Sequence, residues 1–254
     1  MTTPHTADVM LYPSTFDVLR VLPMDTEDEI HYGLELELNF TSEDERFRFI
    51  QAFYPIFGHI GILKREMTVL SGLEIVTRPL TVSRLAGIIP ELVDFCQING
   101  AFMDEKTGIH IHASKAWACD TPAIFRFVNA PHHREEMISF AGRLTDFARF
   151  TTRDYPRNPT RGYSVNIRPP ATVEFRMFAG RLEVDWILGC LYFCYMVRAH
   201  TARLRSFADI AVVAQEEDLP AFFVERLRGV RVTPAGSHYP LIQPEPCREA
   251  LPYW

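Results

Sequence analysis

A strict alternation of apolar and ionisable residues recurs along this chain and constrains its fold more than any other feature. In GLELELNF (residues 33–40), leucines alternate with Glu35, Glu37 and Asn39, and in GIHIHAS (residues 108–114), isoleucines alternate with His110 and His112. Side chains two residues apart share one face of an extended strand. The pattern therefore predicts strands over 30–40 and 107–114, each with an apolar face opposite a face of carboxylates or imidazoles.

Two further stretches add residues of the same kind. GLEIVT (residues 72–77) carries Glu74, and TVEFRMF (residues 172–178) carries Glu174 with Arg176 two positions later. Glutamate is a poor strand former, and like charges on one sheet face repel each other unless a cation lies between them. Each motif alone is typical of a solvated surface or a surface ion pair, but four such strands favour a common site. Mg²⁺ or Mn²⁺ would suit it, because both ions accept mainly oxygen ligands.

The rest of the chain predicts helices between these strands. Thr41 or Ser42 is expected to cap a helix that ends near Tyr54, and Asp120 or Thr121 a helix that ends near Val128. Further elements are predicted as strands near 60–64 and 67–77, a helix over 82–98, an amphipathic helix over 130–153, two short strands within 162–180, a long helix from 184 to about 207, and a last helix within 215–229.

Length and composition narrow the class of protein. A chain of 254 residues is long enough for a substantial core, and we expect one α+β domain over 1–254. The net charge of −6 argues against nucleic acid as a partner, and no apolar run reaches the roughly 20 residues of a membrane span. The first residues lack the features of a secretory signal, and the five cysteines are scattered without a CxxC pair. The expected location is cytoplasmic.

The order GLELE, GLEIVTRPL, GIHIHAS, TVEFRMFAG resembles the amidoligase family, which is similar to glutamine synthetase and glutamate–cysteine ligase. The resemblance extends from about residue 30 to about 200, and 208–254 would form a C-terminal helix and a proline-bearing tail. It implies a glutamine-synthetase-like catalytic domain, in which helices pack on one face of a curved antiparallel sheet. The other face would hold two or more Mg²⁺ ions between ATP and the acceptor. The implied reaction is ATP-dependent amide-bond formation through an acyl phosphate.

The resemblance also implies roles for individual residues. The metal ligands would be Glu35, Glu37, Glu74, His110 and Glu174. Glu37, His112 and Arg176 would be catalytic, with His112 facing phosphate and Arg176 meeting the transferred phosphoryl group. His112, Asn166, Arg168 and Arg176 would contact ATP or substrate. The implied partners are a small-molecule or peptide carboxylate and an amine, and a homo-oligomer is compatible with this reading.

The chain departs from the family pattern in two places. KREMTVLSGLE, with Arg65, Glu66 and Thr68, replaces a common Asp-Gly-Ser turn, and Arg181 stands where a small or hydroxyl residue is usual. A protein that binds metal or nucleotide for a structural or regulatory purpose, without catalysis, therefore stays open. A zinc hydrolase built on His110 and His112 and a guanidino kinase are further alternatives. Zinc is disfavoured because carboxylates outnumber imidazoles here.

Overall fold

The computed structural model describes residues 30–66, 72–115, 119–142, 148–151 and 162–230. Its strands are β1 (Tyr32–Leu38), β2 (Gly61–Glu66), β3 (Gly72–Thr77), β4 (Gly108–Ser114), β5 (Val165–Asn166) and β6 (Thr172–Ala179). They form one antiparallel sheet in the order β2-β3-β1-β4-β6-β5. Together with the helices this confirms the predicted α+β class.

The helices separate and follow the strands along the described chain. They are α1 (Glu43–Phe57), α2 (Val82–Ile98), α3 (Thr121–Val128), α4 (Arg134–Ala141), α5 (Val184–His200), α6 (Phe207–Glu216) and α7 (Ala221–Gly229), with short 3₁₀ turns at Pro131–His133 and Thr201–Arg203. None of the helices in the described residues is long and apolar enough to cross a membrane.

The central strand β1 separates two buried faces of the sheet. Leu34, Leu36 and Leu38 belong to one cluster of buried hydrophobic residues, to which the described helices also contribute side chains. Glu35 and Glu37 alternate with these leucines on the opposite face, and both are buried as well. The core therefore lies between the leucine face and the helices, while the other face buries ionisable groups.

A β-bulge sets the direction of the side chains in β6. Ile109 of β4 pairs with Phe178 and Ile111 pairs with Phe175, so two β6 residues, Arg176 and Met177, lie opposite one β4 residue. Such an extra residue bends a strand and can change where a side chain points. By alternation Arg176 shares the face of Glu174, while Met177 and Phe178 both join the apolar cluster.

Capping residues confirm the predicted starts of two helices. The Ser42 hydroxyl accepts a hydrogen bond from the Glu45 backbone N–H, and the Asp120 carboxylate accepts one from that of Ala123. Each satisfies one N–H that the first helical turn leaves unpaired. Helix α2 has the predicted bounds, and the two strands predicted within 162–180 are β5 and β6.

Three helix predictions were wrong in extent. The helix expected over 130–153 ends at Ala141 because Gly142 adopts φ +67°, a left-handed conformation that terminates helices. The helix from Val184 ends at His200, and a new helix, α6, begins after Ser206, which forms a capping box with Asp209. The predicted last helix is divided between α6 and α7, with Pro220 at the start of α7.

Some predictions fall outside the described residues. These are residues 67–71 of the strand predicted to begin at 67, Thr68 among them, residues 143–147 and 152–153 of the helix predicted over 130–153, and the part of the C-terminal tail from 231 onward. The cysteines that the structure describes are free thiols, and Cys96, Cys190 and Cys194 are buried. Burial raises the pKa of these three thiols, as expected of cysteines that serve as small core residues.

Candidate metal centre

His110 lies at the middle of the polar sheet face, surrounded by carboxylates from two neighbouring strands. Its Nδ1 is 3.3 Å from Glu35 Oε2 and 3.8 Å from Glu174 Oε1, and its Nε2 is 3.5 Å from Glu37 Oε1. The sheet register produces this arrangement, because Glu35 is directly opposite His110 in the β1–β4 pair. Residues 75 and 64 positions apart in the chain thus meet through strand pairing.

His112 lies on the same face but is more open to solvent. Its Nε2 is 3.3 Å from Glu35 Oε1 and 3.9 Å from Glu174 Oε1, and its Nδ1 is 3.1 Å from the Thr172 hydroxyl. The side chain is 17% exposed, against 4% for His110. His112 therefore borders the buried cluster at a position that a ligand can approach.

Glu174 is fixed by two donors from its own hairpin. Arg176 Nη1 contacts Glu174 Oε1, and Asn166 Nδ2 donates to Glu174 Oε2 at 2.5 Å. Arg176 is only 8% exposed, and its Nε has no hydrogen-bond partner among the described residues. A guanidinium carries five N–H donors, so Arg176 keeps donor capacity for a further anionic group.

Lys64 joins the cluster from β2, which sequence reasoning did not anticipate. It is opposite Glu74 in the β2–β3 pair, and its ammonium contacts Glu74 Oε2 directly. The same Nζ is 4.0 Å from Glu35 Oε1. Alternation in GILKRE could have placed Lys64 on a face with Ile62, but only the strand register brings it to Glu74.

His31 and Thr172 are two more residues of this face that the sequence patterns did not single out. In the stretch IHYGLELE, His31 stands four residues before Glu35, so strand alternation places both side chains on the same face. This was the signal available in the sequence. Its backbone N–H donates to the Ser114 hydroxyl at 3.1 Å, and its ring is buried. Within the described part of the chain, neither ring nitrogen has a hydrogen-bond partner.

The carboxylates and His110 form two overlapping groups with the spacing of metal ligands. One group is Glu35, His110 and Glu174, and the other is Glu37, Glu74 and His110. In each group one potential ligand atom per residue lies within 4.8 Å of the others. Ionised carboxylates are costly to bury unless a cation compensates them. A donor set of carboxylate oxygens with one imidazole fits Mg²⁺ or Mn²⁺.

The electrostatic environment shifts the pKa values of the carboxyl groups in opposite directions. Burial by itself raises the pKa of both Glu35 and Glu174, but neighbouring side chains lower it below the usual value. For Glu35 these are His112, His110 and Lys64, and for Glu174 they are His112, Arg176 and His110. Burial and the Glu35 carboxylate raise the pKa of Glu74 to about 9, against the opposing effect of Lys64. Burial lowers the pKa of His112, yet Glu35 and Glu174 raise it overall.

Four other residues, of which only Arg168 was a predicted site residue, do not belong to the two ligand groups. The Arg168 side chain is exposed, and its backbone N–H donates to Asn166 Oδ1 at 3.1 Å. Asn39 donates to Asp104 Oδ2 at 2.8 Å. Arg65 is exposed at the end of β2, and exposed Arg181 lies over the Trp186 ring at 4.3 Å. The structure thus brings the five proposed metal ligands, His112, Asn166 and Arg176 together, but not the Arg168 side chain.

Comparison with known proteins adds a likeness to a solved structure. No protein-family model matches this sequence, and no curated protein matches it either. Among solved structures, the chain is similar to a cryo-EM structure of Plasmodium falciparum glutamine synthetase, with a TM-score of 0.43 and 12% sequence identity. The alignment covers 70% of this chain and 53% of that one, so the chain spans about half the length of the structure it matches.

Proposed function

We propose that this protein is an ATP- and Mg²⁺-dependent carboxylate–amine ligase, with Mn²⁺ as an alternative ion. The observation that carries the proposal is the convergence of four carboxylates and two histidines on one buried sheet face, beside Arg176. The resemblance of GLELE, GLEIVTRPL, GIHIHAS and TVEFRMFAG to the amidoligase family connects this convergence with amide-bond formation. We further propose that the whole chain serves as one glutamine-synthetase-like catalytic domain.

The carboxylates would hold the divalent cation and so the nucleotide. Glu35, Glu37, Glu74, His110 and Glu174 are the candidate ligands, and Asn166 orients Glu174 through its amide. A bound Mg²⁺ neutralises phosphate charge and fixes the γ-phosphoryl group for transfer. Because these side chains belong to paired strands and are buried, the chain holds them in position before any ligand arrives.

Arg176 and His112 would act on the phosphate rather than on the ion alone. Arg176 is held against Glu174 and retains donor capacity at Nε, so it can stabilise negative charge on the transferring phosphoryl group. The partly open His112 can donate to a phosphate oxygen, because the neighbouring Glu35 and Glu174 raise its pKa and favour its protonated form.

The proposed reaction consumes three substrates. A carboxylate oxygen attacks the γ-phosphorus of ATP, which forms an acyl phosphate and releases ADP. The amine then attacks the acyl carbon, loses a proton and expels inorganic phosphate, which leaves the amide. The substrates would be a small-molecule or peptide carboxylate and an amine.

A release assay tests this function directly. The protein is incubated with Mg²⁺ and ATP and with pairs drawn from a panel of carboxylates and amines, while ADP is measured. The proposal predicts that one pair stimulates ADP release above the background without acceptor, and that mass spectrometry detects the matching amide. ADP release that requires only one substrate and yields no amide would contradict ligation.

A non-catalytic role as a binding or regulatory protein is the second candidate. The observation that favours it is Lys64, whose ammonium holds Glu74, one of the proposed metal ligands. This candidate predicts that the protein binds Mg–ATP but releases no ADP with any acceptor pair. The same assay, combined with calorimetry of Mg–ATP binding, therefore separates the two candidates.

A further inference from the structure

We infer that Lys64 takes the place of a second divalent cation, so that this sheet face binds one such ion per chain, at Glu35, His110 and Glu174. The inference rests on the proposed function only in that a cation binds this face. It differs from the two or more Mg²⁺ ions that the family resemblance implies.

The position of the Lys64 ammonium is the first observation. Its Nζ contacts Glu74 Oε2 and is 4.0 Å from Glu35 Oε1, so the positive charge lies between β3 and β1. Glu74 is a member of the second ligand group, with Glu37 and His110. An ion in that group would have to share Glu74 with an ammonium whose side chain is only 13% exposed. An ion bound through Glu74 would lie next to this ammonium, and two cations so close together repel each other strongly in a buried site.

The single imidazole shared by the two ligand groups is the second observation. His110 presents Nδ1 to Glu35 and Glu174, and Nε2 to Glu37. A neutral imidazole has one nitrogen with a free lone pair, while the other carries a proton and donates. If Nδ1 binds the ion, Nε2–H is free to donate to Glu37, and a carboxylate in that position orients a metal-bound histidine. His110 can therefore complete only one of the two groups.

Charge balance agrees with a single ion. Among the described residues, two cationic side chains, Lys64 and Arg176, already contact carboxyl groups of the cluster, at Glu74 and Glu174. Each divalent ion added to this face increases its buried positive charge further, which is costly unless an anionic ligand compensates it.

Metal counting tests the inference without reference to catalysis. Wild type, Lys64→Met and Arg65→Met are dialysed against Mn²⁺, and bound metal per chain is determined by mass spectrometry. Arg65 lies next to Lys64 in the same strand, but it is exposed, and by alternation its side chain is on the opposite face of the sheet. Its variant therefore removes a positive charge without changing the face that carries the carboxylates. We expect one bound ion per chain in wild type and in Arg65→Met. In Lys64→Met we expect two, and the second ion should bind at least tenfold more tightly than any second ion binds to wild type.

The outcomes separate this inference from the proposed function. Two ions in wild type would overturn the inference and leave the proposed function standing, whereas no ion in wild type would overturn both. A folded Lys64→Met that still binds one ion would show that Lys64 does not set the number. If Lys64→Met fails to fold, electron paramagnetic resonance of Mn²⁺ in wild type decides: isolated-ion signals support one site, and spin coupling between two ions contradicts it.

Discussion

The two faces of strand β1 are both buried and are chemically opposite. On one face Leu34, Leu36 and Leu38 pack into the apolar cluster, and on the other Glu35 and Glu37 meet histidines and a lysine. Burial of the leucines stabilises the fold through the hydrophobic effect, about 25 cal/mol for each Å² removed from water. Burial of the glutamates opposes folding unless positive groups or cations compensate it. Burial therefore has opposite effects on the two faces. It stabilises the fold at the leucines, and it lowers stability at the glutamates, which binding of a ligand can explain.

The leucine face should show the largest effect on stability. Leu36 is fully buried, so Leu36→Ala is expected to lower the free energy of unfolding by about 2–5 kcal/mol through lost burial and the cavity left behind. Denaturant titration followed by circular dichroism measures this. The folded fraction of the variant should bind Mn²⁺ as wild type does. A variant of unchanged stability would break the comparison between the two faces.

Arg176 should have the largest effect on catalysis. Arg176→Lys keeps the charge but loses the planar fork, so kcat for ADP release should fall roughly 100- to 1000-fold while Mg–ATP affinity changes little. Arg176→Ala should fall at least as far, because it loses the charge as well. The rates are measured with the acceptor pair found in the release assay, or on the ATPase background in its absence. Equal turnover in wild type and Arg176→Ala would reject this role.

Much of the sheet could be predicted from alternation alone. The parity of Glu35, Glu37, His110 and His112 fixes which side chains share a face within a strand, and the caps at Ser42 and Asp120 fix where helices begin. These signals are local, because they depend on residues within a few positions of one another. Local patterns were therefore sufficient for the strands and for most helix starts.

What the sequence did not reveal depends on contacts between distant segments. Lys64 joins the site only because β2 pairs with β3 in a register that places it opposite Glu74. The bulge opposite His110 depends likewise on how β4 and β6 pair. The early end of α4 had a local signal in Gly142, but the amphipathic pattern continues past it. Strand order and register are set by the whole sheet, so no window of sequence contains them.

The glutamate face should behave differently from the leucine face when it is altered without metal. Glu37→Gln removes one charge from a crowded set of carboxylates, so the metal-free protein should be as stable as wild type or more stable. Thermal unfolding in the presence of a chelator measures this. A large fall in melting temperature would show that Glu37 is a structural residue, and the contrast between the faces would then fail at this position.

A buried histidine on the helical side of the molecule should give the smallest effect. Burial lowers the pKa of His133, and the neighbouring His132 lowers it further. The hydrogen bond between His133 Nε2 and the Phe127 carbonyl oxygen, 2.6 Å apart, opposes this shift, as do Glu136 and Asp209. Its neutral form is favoured in the fold, so this contribution to stability is complete above the ordinary pKa of about 6.5 and is lost as the pH falls through the lowered value.

The expected result is a weaker acid sensitivity in His133→Gln. Between pH 7 and pH 5 its melting temperature should fall less than that of wild type, because glutamine can still donate to the carbonyl but does not titrate. Differential scanning calorimetry at matched ionic strength compares the two slopes. Parallel slopes would mean that His133 does not contribute to the pH dependence, and that this buried polar group is not comparable with those of the sheet face.

Calorimetry of Mg–ATP binding tests most directly whether the buried polar face is a cation and nucleotide site. Wild type, Glu37→Gln and Glu174→Gln are compared, with Glu105→Gln as a matched control, since Glu105 is exposed and lies in the turn before β4. The proposed site predicts that both cluster variants lose at least tenfold in affinity, about 1.4 kcal/mol or more, while Glu105→Gln binds as wild type does. Unchanged Mg–ATP affinity in both cluster variants would contradict it.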